Sequence, residues 1–251
     1  MPGLAGRLAV ADLARFLLPN ACVACGRMVE SDPESLVCGV CRVRFRPVRI
    51  GCARCAQPLP PIGPCRFCAT WSPALTEVRS AVWLTAEARE VAHHLKYDDY
   101  PLLARFVAQV VAREVRRPAA GALIPIPLGR QRLRSRGYNQ AAMIAHALGQ
   151  VWDLPVMEGA LRRARETSSQ TSLTPEARLA NVAGAFAAQP LPAERRSAPA
   201  VILVDDVLTT GATLHEAAQA LAGAGWGPVS AVTFARALPF EIRAQLHEPV
   251  P

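Results

Sequence analysis

Lysine is almost missing from this chain. Of its 28 basic residues only Lys96 is lysine, and the rest are arginine. The two are not interchangeable at a tight site, so a lone compact ammonium stands out against the arginine background. Long apolar runs are missing too: none approaches the about 20 residues of a membrane span, and no membrane insertion is expected. The most apolar stretch near the start, Leu8–Leu18, is interrupted by Asp12 and Arg15. That argues against the apolar region of a signal peptide. It is expected as a short amphipathic helix ended by Pro19, and the protein is expected to be cytoplasmic. Aromatic residues make up only 6% of the chain, and its four Trp and three Tyr show no regular spacing of the kind that stacks bases. Cysteine is absent after residue 68.

What is present points to anionic partners. The chain has 251 residues, is 51% hydrophobic and carries a formal net charge of +8. It is long enough for one or two cores. A pI near 9.5 suits phosphates, nucleotides or nucleic acid, although a generally basic composition has the same appearance. Residues 1–72 hold nine arginines and four acids, net +5, against net +3 for the longer remainder.

All eight cysteines fall in that first segment as four CxxC pairs: Cys22/Cys25, Cys38/Cys41, Cys52/Cys55 and Cys65/Cys68. Two cysteines on one tight turn make half of a tetrahedral zinc site, so four pairs make two complete sites. A disulfide framework would need an oxidising compartment. A redox CxxC would normally occur once, beside a strand and a helix, and the spacing is not that of a ferredoxin. Sequential pairing is expected: Cys22, Cys25, Cys38 and Cys41 on one zinc, and Cys52, Cys55, Cys65 and Cys68 on the other. An interleaved arrangement is the alternative. With every ligand supplied by protein, both zinc ions would be structural. Residues 1–72 are therefore expected as a zinc-ribbon domain and residues 73–251 as a second domain. Arg42, Arg44, Arg46 and Arg49 between the pairs are either a solvated face or a nucleic-acid contact.

After residue 73 strands and helices alternate. Val78–Thr85, Leu123–Pro127, Val201–Val204 and Val229–Ala235 read as strands. Ala86–Leu95, Pro101–Arg116, Asn139–Val151, Thr174–Asn181 and Leu214–Ala222 read as helices. Such alternation gives an α/β fold with a parallel sheet, whose ligands sit beyond the carboxyl ends of the strands. Asp205 and Asp206 follow one strand there. Gly211 allows positive φ and close backbone approach, and the helix after it points its free N–H groups at the turn. Thr213–Glu216 also fits a capping box, but capping leaves the two acids and Thr209–Thr210 unexplained. Carboxylates that accept from hydroxyls, beside N–H groups that hold a phosphate, suit a sugar phosphate.

The stretch Val201-Ile-Leu-Val-Asp-Asp-Val-Leu-Thr-Thr-Gly-Ala-Thr213 resembles the phosphoribosyl pyrophosphate (PRPP) motif of type I phosphoribosyltransferases. With Leu17–Cys25, Leu95-Lys-Tyr97, Ile124–Pro127, Arg132–Gln140 and Arg165–Gln170 it is similar to the ComF family, including its ComFC- and GntX-like members. The likeness runs through nearly the whole chain. It implies a phosphoribosyltransferase-like parallel sheet flanked by helices, with a small N-terminal double zinc ribbon. Asp205 and Asp206 would bind the ribose hydroxyls, and Thr209, Thr210, Gly211, Ala212 and Thr213 the 5′-phosphate. Magnesium would accompany the PRPP.

The same likeness assigns Leu128–Arg136 to a pyrophosphate loop, with Arg136 as its phosphate-binding cation. It assigns Arg165–Arg178 to a flexible lid carrying Arg165, Gln170 and Arg178. Catalytic residues stay unassigned, with Asp205, Asp206 and Lys96 as candidates. His93 and His94 read as ordinary helix positions. Three functions follow from the resemblance. The first is a PRPP-binding protein associated with DNA uptake, handling single-stranded DNA with a helicase-like partner. The second is an active phosphoribosyltransferase with a base or amine acceptor, and the third a PRPP-sensing regulator.

Overall fold

The computed structural model describes residues 21–29, 36–49, 51–60, 62–97, 101–165, 181–191 and 199–239. The helix expected over Leu8–Leu18 lies outside these residues. So do Gln170, Arg178 and, apart from Asn181, the helix expected over Thr174–Asn181.

Four parallel strands form the central sheet in the order β1-β6-β5-β2. They are β1 (Leu75–Trp83), β2 (Ala122–Pro125), β5 (Val201–Leu208) and β6 (Val229–Arg236). Parallel strands covered on both faces are apolar throughout, and Val201–Val204 and Val229–Ala235 are buried at every position. Side chains alternate across the pleat. Ile202, Val204, Val232 and Phe234 face one core, and Val201, Leu203 and Ala231 the other.

Helices α2 (Ala86–Tyr97), α3 (Pro101–Glu114) and α5 (Gln140–Trp152) fill the first face through Val91, Leu95, Val107, Val111, Ile144 and Leu148. Helix α6 (Ala212–Gly223) covers the second face through Leu214, Ala217 and Leu221. A short antiparallel pair, β3 (Leu161–Arg163) with β4 (Phe186–Ala188), packs beside it. A short pairing covers part of each sheet edge. Pro47 bridges antiparallel to Val82 on the β1 edge, and Val156 bridges parallel to Leu123 on the β2 edge.

The two cysteine segments straddle the sheet. Cys22, Cys41 and Phe45, with the short helix α1 (Gly39–Arg44), join the first core, whereas Cys55, Cys68 and Trp71 join the second.

Three local expectations need correction. Strand β5 does not stop at Val204 but runs through both acids to Leu208, because Asp205 pairs in register with Thr233 and Val207 with Ala235. The capping box at Thr213–Glu216 does not form. Helix α6 starts one residue after Gly211, which takes the cap position at φ +79° without a side-chain acceptor. Glu216 instead accepts from the Gly184 N–H at 3.0 Å. The arginine stretch is not a loop over its whole length: Arg130–Arg136 forms helix α4, closed by Gly137 at φ +83°.

Candidate functional site

The site is built around the acid pair. Asp206 is buried and Asp205 half-buried near the end of β5, and the Asp206 N–H donates to Asp205 Oδ1 at 2.9 Å. Their cation comes from far away in sequence. Lys96, near the end of α2, places Nζ 2.6 Å from Asp206 Oδ2. The sole lysine of the chain therefore neutralises the buried acid of the motif. The consequence is a split pair. Burial alone would raise Asp206, but the Lys96 ammonium holds it below its ordinary value. Burial, and then the Asp206 charge beside it, push the Asp205 carboxyl well above the usual carboxylate range. Asp206 raises Lys96 in turn. The ionised form of Asp206 is favoured by its Lys96 partner, and the protonated form of Asp205 is favoured relative to an ordinary carboxyl.

Two further motif segments turn out to clasp one another beside this pair. The Tyr138 hydroxyl donates to the Leu95 carbonyl at 3.1 Å, and the Arg136 guanidinium lies over the Tyr97 ring, 5.3 Å from its centroid. Asn139 caps α5 by accepting from the Ala141 N–H at 3.1 Å, while its Nδ2 donates to the Ile126 carbonyl at 3.0 Å. Leu95-Lys-Tyr97 and Arg136-Gly-Tyr-Asn-Gln140 thus form one scaffold. It fixes Lys96 opposite Asp206.

A cavity of about 810 Å³ opens above the acids, within the size range of small-molecule sites. Its cations are Arg89, Lys96, Arg132, Arg136 and Arg163, against only Asp205 and Asp206. The helical form of α4 explains why only two of its four arginines take part. Residues four apart share a helix face, so Arg132 and Arg136 line the cavity together while Arg130 and Arg134 stand exposed on the outside. At the other end the Thr209–Gly211 turn leads into α6. A small hollow of about 20 Å³ sits on this turn, lined in part by Asp205, Thr209, Gly211 and Thr213. The Ala212 N–H donates to Thr210 Oγ1 at 3.4 Å, and the remaining first-turn N–H groups and the positive end of the helix dipole point there.

Each four-cysteine set is gathered in space, and the pairing is sequential. Within each set the ligand atoms lie within 4.8 Å of one another. Cys25 and Cys38 sulfurs are 3.9 Å apart, Cys52 and Cys68 3.7 Å, and Cys55 and Cys65 3.7 Å. A tetrahedron with Zn–S bonds of about 2.3 Å has sulfurs ~3.8 Å apart, so both sets fit zinc. For Cys22, burial is outweighed by the Cys38 N–H and neighbouring donors, and its thiol falls to about 7. Burial pushes Cys55 up to about 11 and raises Cys41 and Cys68. A divalent cation at each centre would displace these protons.

The site also uses residues that sequence reading passed over. His93, read as an ordinary helix position, lines the cavity one turn before Lys96, and its ring lies 4.8 Å from that of Tyr97. Arg163 reaches the cavity from β3, over the Phe186 ring at 5.1 Å, with Nη1 donating to the Pro127 carbonyl at 3.5 Å. Its only sequence signal was its place just before the expected lid. Arg165 does not enter the cavity lining; its Nη2 donates to the Asn181 and Ala183 carbonyls at 3.1 and 2.7 Å, joining the two ends of the segment between them.

The arginines that follow Cys41, between the two cysteine sets, are largely engaged within the chain. Arg42 donates to the Val37 carbonyl at 2.8 Å and lies over Phe106, Arg44 pairs with Glu87 at 3.3 Å, and Arg49 with Glu114 at 3.9 Å. Among the described residues no helix is long and apolar enough to cross a membrane.

Fold and site together define an α/β protein with a parallel sheet, an acid pair near one strand end and two four-cysteine sets arranged as in a double zinc ribbon. No protein-family model matches the chain. It is 30% identical over 233 residues to the DNA utilization protein YhgH of Salmonella typhi, a match covering 88% of this chain and 99% of that protein. It is also 30% identical over 199 residues to the competence protein ComFC of Bacillus subtilis, covering 75% of this chain and 79% of the relative. The chain belongs to the ComF family of competence and DNA utilization proteins. A UMP synthase structure from Leishmania donovani overlaps 64% of this chain and 26% of its own at 20% identity, with a TM-score of 0.33.

Proposed function

We propose that this protein binds PRPP in the cavity above Asp205 and Asp206, and that it does so in the service of DNA uptake or utilization. The observation that carries the reading is the acid pair, with Asp206 ion-paired to Lys96, in a cavity lined by five cationic side chains and these two carboxylates. Asp206, held ionised by Lys96, accepts from one ribose hydroxyl, and Asp205 exchanges a hydrogen bond with the other. The 5′-phosphate takes the N–H donors of the Thr209–Thr213 turn. Arg132 and Arg136 face the pyrophosphate with planar guanidinium forks suited to its oxygens. Magnesium, bound largely by PRPP oxygens with Asp205 as the protein carboxylate left without a cation of its own, would supply charge neutralisation for the pyrophosphate.

The DNA side of the reading rests on the names of the relatives, which are a DNA utilization protein and a competence protein. Single-stranded DNA is the proposed macromolecular partner, with a helicase-like protein beside it. Exposed Arg130 and Arg134, on the face of α4 turned from the cavity, are the arginines suited to contact the strand. Movement of ribose 5-phosphate to a base or amine is the catalytic extension of the same site.

Calorimetric titration with PRPP and magnesium tests the reading. Asp205→Asn combined with Asp206→Asn removes the ion-paired acceptor Asp206, worth about 1.5–3 kcal/mol, together with the carboxyl beside it, so affinity is expected to fall at least ~10-fold, with the folded state of the variant checked by a melting curve. Wild-type protein that binds no PRPP at millimolar ligand would sink the proposal, as would a double variant that binds as well as wild type.

A further inference from the structure

The second cysteine cluster touches the phosphate turn directly. Trp71 lies three residues past Cys68 and is 4% exposed. A Cβ added to Gly211 would meet Trp71 Cζ2 at 2.2 Å and Cε2 at 2.6 Å. Gly211 is therefore required twice, by its φ of +79° and by the indole seated against it. The next residue makes a second tie. The Ser72 N–H donates to His215 Nδ1 at 2.7 Å, and His215 stands in the first turn of α6. The indole is itself fixed from the cluster side: Phe67 meets it edge-on at 5.4 Å, and Arg54 lies over it while donating to the Cys68, Ser72 and Leu75 carbonyls. The first cluster has no such contact with the turn among the described residues; its buried members pack on the opposite face of the sheet.

We infer that the second cysteine cluster is a positioning element of the phosphate turn, with Trp71 as the floor on which the Gly211 turn is set. Metal held by Cys52, Cys55, Cys65 and Cys68 and phosphate held by the turn then favour one another, because each is bound best when Trp71 is seated. The phosphate half of this statement rests on the PRPP reading above; the seating of the turn does not. Coupling between sites is reciprocal, so either partner reports on the other.

The test uses the full chain loaded with zinc, in two arms. In the first, hydrogen exchange followed by mass spectrometry reads the Thr209–Leu214 amides. Trp71→Ala is expected to speed their exchange while Val201–Val204 stay protected, and Trp71→Phe to restore most of the protection. Unchanged exchange at the turn overturns the inference. So does a loss spread over the whole sheet that Trp71→Phe fails to rescue, since Trp71 would then be a core residue like any other.

In the second arm, zinc is transferred to a chelator and the freed thiols are alkylated and located by mass spectrometry. Magnesium and PRPP are expected to slow release from Cys52–Cys68 roughly 10-fold, within the usual range of coupling between sites, and to leave Cys22–Cys41 unaffected. Equal protection of both clusters, or of neither while PRPP is bound, overturns the inference. If the wild type binds no PRPP yet exchange at the turn still follows Trp71, the PRPP reading fails and the seating of the turn stands.

Discussion

The first cysteine cluster reaches the body of the protein through Phe45 and Arg42, which meet Phe106 of α3, while the second reaches it through Trp71 and Ser72, which meet the Gly211 turn and His215 of α6. Both have two CxxC pairs and similar sulfur spacing. The residues carried between and after the cysteines make them different. Around the first are Phe45, wedged among Phe106 and Phe234 at 6.0 and 5.9 Å, and arginines paired with Glu87 and Glu114 on α2 and α3. Around the second are main-chain carbonyls collected by guanidinium groups. Arg236, only 1% exposed, donates to the Cys55 carbonyl and to Gln57, and lies over Phe67 at 4.6 Å. A cysteine pattern specifies a metal; the neighbours specify whether the metal supports packing alone or also a ligand site.

Substitution can separate the two roles. Phe45→Ala removes the anchor of the first cluster from the core and should cost about 3–5 kcal/mol, as large-to-small changes of buried aromatics do. Thermal unfolding would show it as a lowered midpoint, and PRPP affinity should be unchanged, because Phe45 and the turn lie on opposite sides of the sheet. A matching loss of PRPP affinity would mean that both clusters govern the site, and the contrast between them would collapse. Arg44→Ala tests the weakest tie. Its side chain is 59% exposed, and such pairs contribute at most ~1 kcal/mol in solution, so the midpoint should move by about 2–4 °C at most. A larger drop would show that the arginines between the pairs, rather than Phe45, hold the first cluster in place.

The sheet was legible in the sequence because its signal is local. Val201–Val204 has no polar residue, and a glycine turn opens the following helix. The cysteine sets were legible for the same reason. The partner of Asp206 was not, since Lys96 comes from a helix brought near only by the packing of α2 beside the end of β5. Its clues were its standing as a single lysine among 28 basic residues and its place in Leu95-Lys-Tyr97, and neither names its partner.

Thr213–Glu216 misled because a capping box and a phosphate turn use the same residue types. The positive φ that only Gly211 accepts easily moved the cap two residues earlier. The arginine run of α4 looked like a basic loop until helical geometry divided it into Arg132 and Arg136 inside and Arg130 and Arg134 outside. Trp71 gave no sequence signal at all. A lone tryptophan after a cysteine pair does not reveal that a glycine far along the chain will be pressed against it.

That the acids read ribose can be tested without pyrophosphate, magnesium or any acceptor. Ribose 5-phosphate and 2-deoxyribose 5-phosphate differ by one hydroxyl and should make the same contacts with the turn. A hydrogen bond to an ionised acceptor is worth about 1.5–3 kcal/mol. Competition of the two sugars for the wild-type protein, followed by calorimetry, is therefore expected to favour ribose 5-phosphate by ~10-fold or more. Equal affinity for the two would show that neither acid holds the 2-hydroxyl, which contradicts the account of the acid pair as the ribose site.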